Sequence, residues 1–471
     1  MNRLLGLLAI GLVCLIASAA HAESQSKPAR PNFIVIFCDD LGWGDLGCFG
    51  HPVIATPNLD AMAAEGCRLT QFYVAASVCT PSRAGLMTGR YPVRSGMWGN
   101  RRVLFPDSVG GLPDSEVTVA ECLSDAGYAT GMVGKWHLGH RPEYLPTRHG
   151  FDSYVGIPYS NDMDKIPSAP RGRVVFQEPD WRHFNVPLLF GTSAEPPVEI
   201  ERPVDQTTIT RRYTEFATQF IREHTREPFF LYLAHSLPHV PLFRSADFVG
   251  YSRAGLYGDV IEEIDDGVGQ ILATLKESGL DQNTLVLFTS DNGPWLSFGD
   301  QGGSAGPLRD GKGTTFEGGM RVPAIAWMPG HIDAGTICRD LTSTLDVLPT
   351  FSAMASADLP EGLILDGFDL SATLLDGQPS PRESMFFYRG DRLMAVRHHD
   401  HKAHYITQTS YRKDSNRAER HDVPELYDLS VDIGEARNIA AKHPDVVEAI
   451  GLIKEDHQQS MVIAESQLDR K

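Results

Sequence analysis

Positive charge is in short supply in this chain. Its 471 residues hold 42 lysines and arginines against 60 aspartates and glutamates, a formal net charge of −18. That balance argues against a nucleic-acid partner, since affinity for a phosphate backbone comes from neutralising it with Lys and Arg. It also repels an anionic substrate unless basic groups are concentrated locally. Cysteine is scarce as well, with 7 in the chain. A disulfide-stapled scaffold is therefore excluded, and one or two bridges at most are expected. Beyond residue 22 no apolar run is long enough to cross a bilayer, so no stable membrane insertion is expected. There is no internal repeat.

What is present is the composition of a folded globular protein, 42% hydrophobic and 22% charged. The length suits roughly two to four domains, or one large α/β domain with an appendage. Residues 1–22 read as a secretory signal peptide: Arg3 supplies the positive start, residues 4–16 the apolar stretch, and Ala20-His21-Ala22 the small-x-small cleavage pattern. An exported chain, periplasmic, extracellular or luminal, is expected after cleavage near Ala22. The alternative, an uncleaved anchor, has an apolar part shorter than the roughly 20 residues a span needs.

Short runs rich in β-branched and aromatic residues, at 33–37, 229–233, 284–288 and 323–327, read as buried strands. They alternate with helical patterns at 58–66 and 257–278, the signature of a doubly wound or related α/β fold. Residues 161–205, rich in Pro and Arg, read as a long surface excursion. From about 380 the texture changes to short alternating segments, which predicts a small antiparallel C-terminal subdomain over 381–471, with residues 411–422 as a polar loop inside it. The main domain is placed at 30–380.

The chemistry gathers where the strands end. The first strand runs into Asp39-Asp40 and the third into Asp291-Asn292-Gly293. In open α/β sheets the carboxyl ends of the strands hold the ligand, so both acidic steps point to one crevice. Hard oxygens with no His or Cys among them suit Ca²⁺ or Mg²⁺ rather than zinc. A plain turn and a helix cap are the competing readings of these two steps. His235 and His239 follow the strand 229–233, and Lys135 and His137 follow a short apolar run. In Ser77-Val78-Cys79-Thr80-Pro81-Ser82-Arg83, Pro81 fits the first turn of a helix. Cys79 then sits just outside a helix N-terminus, with Arg83 near it, which predicts a low-pKa thiolate beside an anion pocket. A structural cysteine is the alternative.

Cys79-Thr80-Pro81-Ser82-Arg83 resembles the Cys-x-Pro-Ser-Arg signature of the type I sulfatases, whose cysteine is oxidised to formylglycine by a dedicated maturation enzyme. The resemblance extends over about residues 30–440: Asp39-Asp40-Leu41-Gly42-Trp43-Gly44-Asp45, Thr56-Pro57-Asn58-Leu59-Asp60, Leu86-Met87-Thr88-Gly89-Arg90, residues 134–139, residues 311–319, and Glu425-Leu426-Tyr427-Asp428-Leu429 with Asp432 and Gly434-Glu435. His149-Gly150-Phe151-Asp152, residues 156–160 and Lys402-Ala403-His404-Tyr405 look closest to the arylsulfatase A and N-acetylgalactosamine-6-sulfatase branch. The resemblance implies an alkaline-phosphatase-like α/β sandwich, with a large mixed central sheet flanked by helices and a small C-terminal antiparallel sheet. It implies Ca²⁺, with Mg²⁺ the lesser alternative, held by Asp39, Asp40, Asp291, Asn292 and the modified Cys79. It places Arg83, Lys135, His137, Ser160, His239 and Lys312 around the sulfate. One departure is Val322 after Arg321, where relatives often carry Glu.

The reaction so implied is hydrolysis of a sulfate monoester, on an aryl group or a sugar. Hydrated formylglycine supplies a gem-diol, one hydroxyl of which attacks sulfur while His239, with Lys312, protonates the departing alcohol. His137 then removes the proton of the second hydroxyl, sulfate leaves by carbon–oxygen cleavage, and the aldehyde is restored. The competing readings are a phosphomonoester, phosphodiester or phosphonate hydrolase of the alkaline phosphatase superfamily, and an inactive sulfated-glycan-binding homologue. The Gly-rich stretch 293–311, the excursion at 161–205 and the His-rich run 398–404 are expected to frame the leaving-group pocket, with a solvated strand end as the plainer reading of that run. The acidic surface favours a small, singly sulfated substrate over a long polyanion. Oligomeric state is not legible in the sequence.

Overall fold

The computed structural model describes residues 30–177, 179–410 and 418–471. The expected signal-peptide stretch 1–22 and residues 411–417 of the expected polar loop lie outside them.

Eleven strands form one large mixed sheet: β1 (Asn32–Cys38), β2 (Cys67–Tyr73), β3 (Ala129–Lys135), β4 (Ser153–Ile157), β5 (Leu188–Thr192), β6 (Val198–Glu201), β7 (Phe229–Ala234), β8 (Thr284–Ser290), β9 (Arg321–Trp327), β10 (Thr336–Cys338) and β11 (Thr342–Ser343). Their order is β10-β2-β9-β8-β1-β7-β3-β4-β5-β6, with β11 also on β2. The middle strands β8, β1, β7, β3 and β4 run parallel, whereas β9 and β5 join them antiparallel. β1, β7 and β8 are near-continuous apolar runs because both of their faces are covered, whereas the equally buried β3 and β4 are interrupted by glycines.

Strand alternation divides β1 between two cores. Phe33, Val35 and Phe37 face one side, among Leu86 and Met87 of the helix Cys79–Thr88 and Leu348 and Phe351 of the helix Val347–Ala355. Ile34, Ile36 and Cys38 face the other, with Leu59 of the helix Pro57–Glu65, Tyr213 of Ile209–Glu223 and Ile264 of Gly255–Glu277. Each such fully buried large side chain contributes about 1.5–3 kcal/mol through loss of apolar surface to water, which is why the two-sided burial of β1 pins the register beside the site.

A second sheet contains β12 (Ser384–Arg389), β13 (Arg392–His398), β14 (His401–Thr407) and β15 (Glu419–Asp428), all antiparallel. Met385, Phe387, Ala395, Ala403 and Leu426 join the core on the Phe33 face, so this sheet is packed onto the main body and shares its interior.

Two expectations need correction. Residues 161–205 are not all surface excursion: β5 and β6 extend the large sheet there. Residues 419–422 belong to β15 and not to a loop. None of the described cysteines is bridged: Cys38, Cys48, Cys67, Cys79, Cys122 and Cys338 are all free thiols. No helix of the described residues is long and apolar enough to cross a membrane.

Candidate active site

The five parallel strands deliver their following residues to one edge. Asp39 and Asp40 follow β1, Asp291 and Asn292 follow β8, and His235 to His239 follow β7. Lys135 closes β3 with His137 beyond it, and Ser160 follows β4. Backbone bonds lock the edge together, Asp291 N donating to Cys38 O at 3.0 Å and Asp39 N to Leu237 O at 3.2 Å. Asp40 and His137 hold left-handed backbone, φ 66° and 59°, a strained state for non-glycine residues that clusters at functional sites. A Cβ on Gly134 would lie 1.8 Å from Ala234 O, so only glycine lets β3 approach β7 closely just before Lys135.

Cys79 opens the helix Cys79–Thr88 as its first residue, after the extended Val78. It stands inside the helix start and not just outside, because Pro81 occupies the third position of the first turn. Its Sγ is 3.4 Å from Asp39 Oδ1 and 3.5 Å from Lys312 Nζ. The expected low-pKa thiolate is overturned: complete burial, followed by the Asp39 carboxylate, pushes the thiol well up, and Lys135 and Lys312 do not offset them. The helix N-terminus loses here because desolvation of a fully buried thiolate outweighs a partial charge.

Charged groups interlock around this atom. Lys135 Nζ lies 2.5 Å from Asp39 Oδ2 and 3.1 Å from Ser160 Oγ. Lys312 Nζ lies 2.7 Å from Asp40 Oδ1. Arg83 places Nε and Nη2 on Asp291 Oδ2 at 3.1 and 2.8 Å, and Nη1 on Lys135 O at 3.0 Å. Burial opposes ionisation of Asp39, yet Lys135, His239 and Arg83 hold its carboxyl well below the usual range. Burial and then Asp39 push Asp291 up to about 7. Burial also opposes the charge on Lys312, but Asp40 and Cys79 raise its pKa well above the ordinary lysine value.

The two histidines present different atoms. His239 Nδ1 donates to Val240 O at 2.6 Å, which turns Nε2 to the site, 3.7 Å from Asp40 Oδ2. His137 Nε2 donates to Leu104 O at 2.8 Å, and its buried Nδ1 has no partner. Burial and Lys135 hold the His137 ring neutral, so Nδ1 is a free acceptor. His235, by contrast, is buried against Tyr213, and burial brings its pKa down to about 4.

Asp39, Asp40, Cys79 and His239 each place a ligand atom within 4.8 Å of the others. Asn292 donates from Nδ2 to Asp40 Oδ1 at 2.7 Å, while its buried Oδ1 has no partner. An orphaned amide oxygen beside buried carboxylates fits a divalent cation.

Residues 31–357 match the Sulfatase family, and residues 380–471 match the C-terminal region of aryl-sulfatase. The chain belongs to the sulfatase family. It is 44% identical to arylsulfatase A of Homo sapiens, over 97% of this chain and 93% of that protein. It is 40% identical to N-acetylgalactosamine-6-sulfatase of Mus musculus, over 97% and 91% respectively. Among solved structures, the PsFucS1 sulfatase from Pseudoalteromonas sp. superposes with a TM-score of 0.83 at 30% identity, covering 94% of this chain and 92% of that one. The chain is therefore an enzyme, a sulfate ester hydrolase.

In this sulfatase the residues singled out from sequence converge: Asp39, Asp40, Cys79, Arg83, Lys135, His137, Ser160, His239, Asp291, Asn292 and Lys312 are all buried at one strand edge. Sequence reading missed Trp295. Its ring lies 4.4 Å from Lys312 Nζ and 5.4 Å from the His239 ring. A lone tryptophan in the polar, Gly-rich stretch after Asn292 was the available signal. The His-rich run 398–404 does not form one surface: Lys402 and His404 point inward, fully buried, while His399 sits at the exposed hairpin turn.

Proposed function

We propose that this sulfatase cleaves a small, singly sulfated aryl or sugar ester, with Cys79 matured to formylglycine and Ca²⁺ held by Asp39, Asp40, Asp291, Asn292 and the modified residue 79. The observation that carries the reading is the placement of the Cys79 side chain between Asp39 and Lys312, at 3.4 and 3.5 Å. The cysteine Sγ stands there for the oxygens of the hydrated aldehyde. A divalent cation held by these residues would draw charge from the sulfate oxygens and from the nucleophile. The hydrated aldehyde supplies one hydroxyl to attack sulfur and a second through which sulfate is expelled.

The chain's own residues do the rest. Arg83, Lys135 and Lys312 concentrate positive charge in an otherwise acidic protein, and Ser160, 3.1 Å from Lys135 Nζ, orients a sulfate oxygen. Burial and Lys312 disfavour the charged His239 ring, whereas Asp40 and Asp39 favour it; in that doubly protonated form Nε2, with Lys312 beside it, gives its proton to the departing alcohol. His137 Nδ1, unpartnered and neutral, takes the proton of the second hydroxyl. Export through a cleaved signal peptide and maturation by a formylglycine-generating enzyme belong to the same reading.

Mass spectrometry of the peptide spanning Cys79, in protein made with the maturation machinery, tests it; an unmodified thiol in fully active enzyme would overturn it. Rates on an aryl sulfate against the matching aryl phosphate check the sulfate preference. A panel including galactose and N-acetylgalactosamine 6-sulfates reads the leaving group, with weaker activity expected on long polyanions than on their short fragments.

A further inference from the structure

Lys312 is carried on a closed loop. Gly318 N donates to Arg309 O at 2.8 Å, so residues 309–318 leave and return at one point, and Lys312 N and Gly313 N reach across to Pro294 O and Ser77 O at 2.9 and 2.8 Å. Both ends of this loop are held by one residue of the C-terminal region. Glu435 O accepts from Arg309 Nη1 at 2.7 Å, and Glu435 Oε2 accepts from Glu317 N at 2.6 Å. Its other oxygen, Oε1, faces His404 Nε2 at 2.6 Å and Lys402 Nζ at 3.2 Å. Lys402 in turn reaches Glu317 Oε1 at 2.9 Å. Glu317, Lys402, His404 and Glu435 are all fully buried. Glu435 holds this position in left-handed backbone, φ 48°, an unfavourable state that the surrounding bonds must over-determine.

We propose that Glu435 is a positioning residue for the reaction: it clasps the two ends of the 309–318 loop and thereby sets Lys312 against Asp40 and residue 79. The inference rests on the proposed role of Lys312 in protonating the leaving group. Loosening the clasp lets the ammonium drift, and a displacement of about 1 Å at a reacting centre can cost on the order of 100-fold in rate. The loss should grow with the need for leaving-group protonation.

The test compares the matured full-length enzyme with Glu435→Gln and with the more conservative Glu435→Asp, which keeps a charge for Lys402. Hydrogen exchange read by mass spectrometry is expected to rise over residues 309–318 in both. The kcat on phenyl sulfate, whose alcohol needs a proton, is expected to fall about tenfold or more beyond the fall on 4-nitrophenyl sulfate, with the Asp variant closer to wild type. Unchanged exchange at 309–318 in a folded variant overturns the clasp, as does an equal fall on both esters when Lys312→Met discriminates between them. If Lys312→Met itself treats the two esters alike, the role assigned to Lys312 fails, and the clasp is decided by the exchange result alone.

Discussion

Two buried ionic networks lie on either side of the loop that carries Lys312, and they are built to opposite ends. Around Cys79, Asp39, Asp40 and Asp291 meet Arg83, Lys135 and Lys312, yet the Asn292 Oδ1 and His137 Nδ1 atoms are left without partners and Asp291 is pushed up to about 7. Under the second sheet, both oxygens of Glu317 and of Glu435 are met: by Lys402, Tyr73 and Arg321 for the first, by His404, Lys402 and the Glu317 amide for the second. In the first network the orphaned atoms stand beside clustered carboxylates, where a ligand would complete them. In the second, His404 Nδ1 also lacks a partner, but every carboxylate oxygen is met, the pattern of structural support. Burial alone does not separate the two, since both are essentially inaccessible to water.

Substitutions should part the networks, and the largest effect belongs to the first. Cys79→Ser, expressed with the maturation machinery, lacks the second hydroxyl and should stall after one turnover. Steady-state rates are expected to drop by about four orders of magnitude or more, as when a nucleophile is removed from a concerted site. Normal multiple-turnover activity in that variant would sink the mechanism. Next is the pair His239→Gln and His235→Gln. The first should lower kcat by about 10²–10⁴, the usual range for loss of general acid–base help. The second, buried against Tyr213, should leave kcat within a few-fold, and similar kcat losses in both would erase the distinction.

The second network should answer in stability. Lys402→Met leaves Glu317 and Glu435 buried without their shared cation and is expected to lower unfolding free energy by about 3–5 kcal/mol, measured by denaturant titration. The smallest effect is a pH dependence. Burial works against ionised Glu317, but Lys402, Arg321 and Arg397 hold its carboxyl down at about 2, from an ordinary 4.5. A depressed carboxylate pKa gives stability that is fully present above the unfolded value and lost as pH falls through the folded one. The advantage of wild type over Glu317→Gln should therefore be on the order of 3 kcal/mol at neutral pH and shrink between pH 4.5 and 2. Thermal midpoints across that range check it, and a pH-independent gap would remove Glu317 from the account.

Legibility followed the length of the uninterrupted apolar run, so the buried but glycine-broken β3 and β4 stayed unread. β1, β7, β8 and β9 were readable because strands covered on both sides must be nearly all apolar. β5 and the edge strand β6 were not, since these short strands expose Phe190, Val198 and Ile200 and leave no clean alternation in sequence. Trp295 and Glu435 share a different obscurity: each contacts Lys312 or its loop from a segment remote from Cys79, and even the Gly434-Glu435 motif does not say what Glu435 touches.

The sequence by itself determined the chemistry available: strand-end carboxylates, a cysteine at a helix start with arginine one turn on, and Lys135 and the histidines at or just after the ends of neighbouring strands. These are local patterns, because strand-to-loop junctions and helix starts are set by residues close in the chain. Tertiary structure alone decided the electrostatics. Burial pushed the Cys79 thiol up where a low pKa was expected, and hairpin pairing turned Lys402 and His404 from a surface run into buried partners of Glu317 and Glu435. Desolvation and charge pairing depend on what the rest of the chain brings into contact, and that is fixed only when distant segments pack.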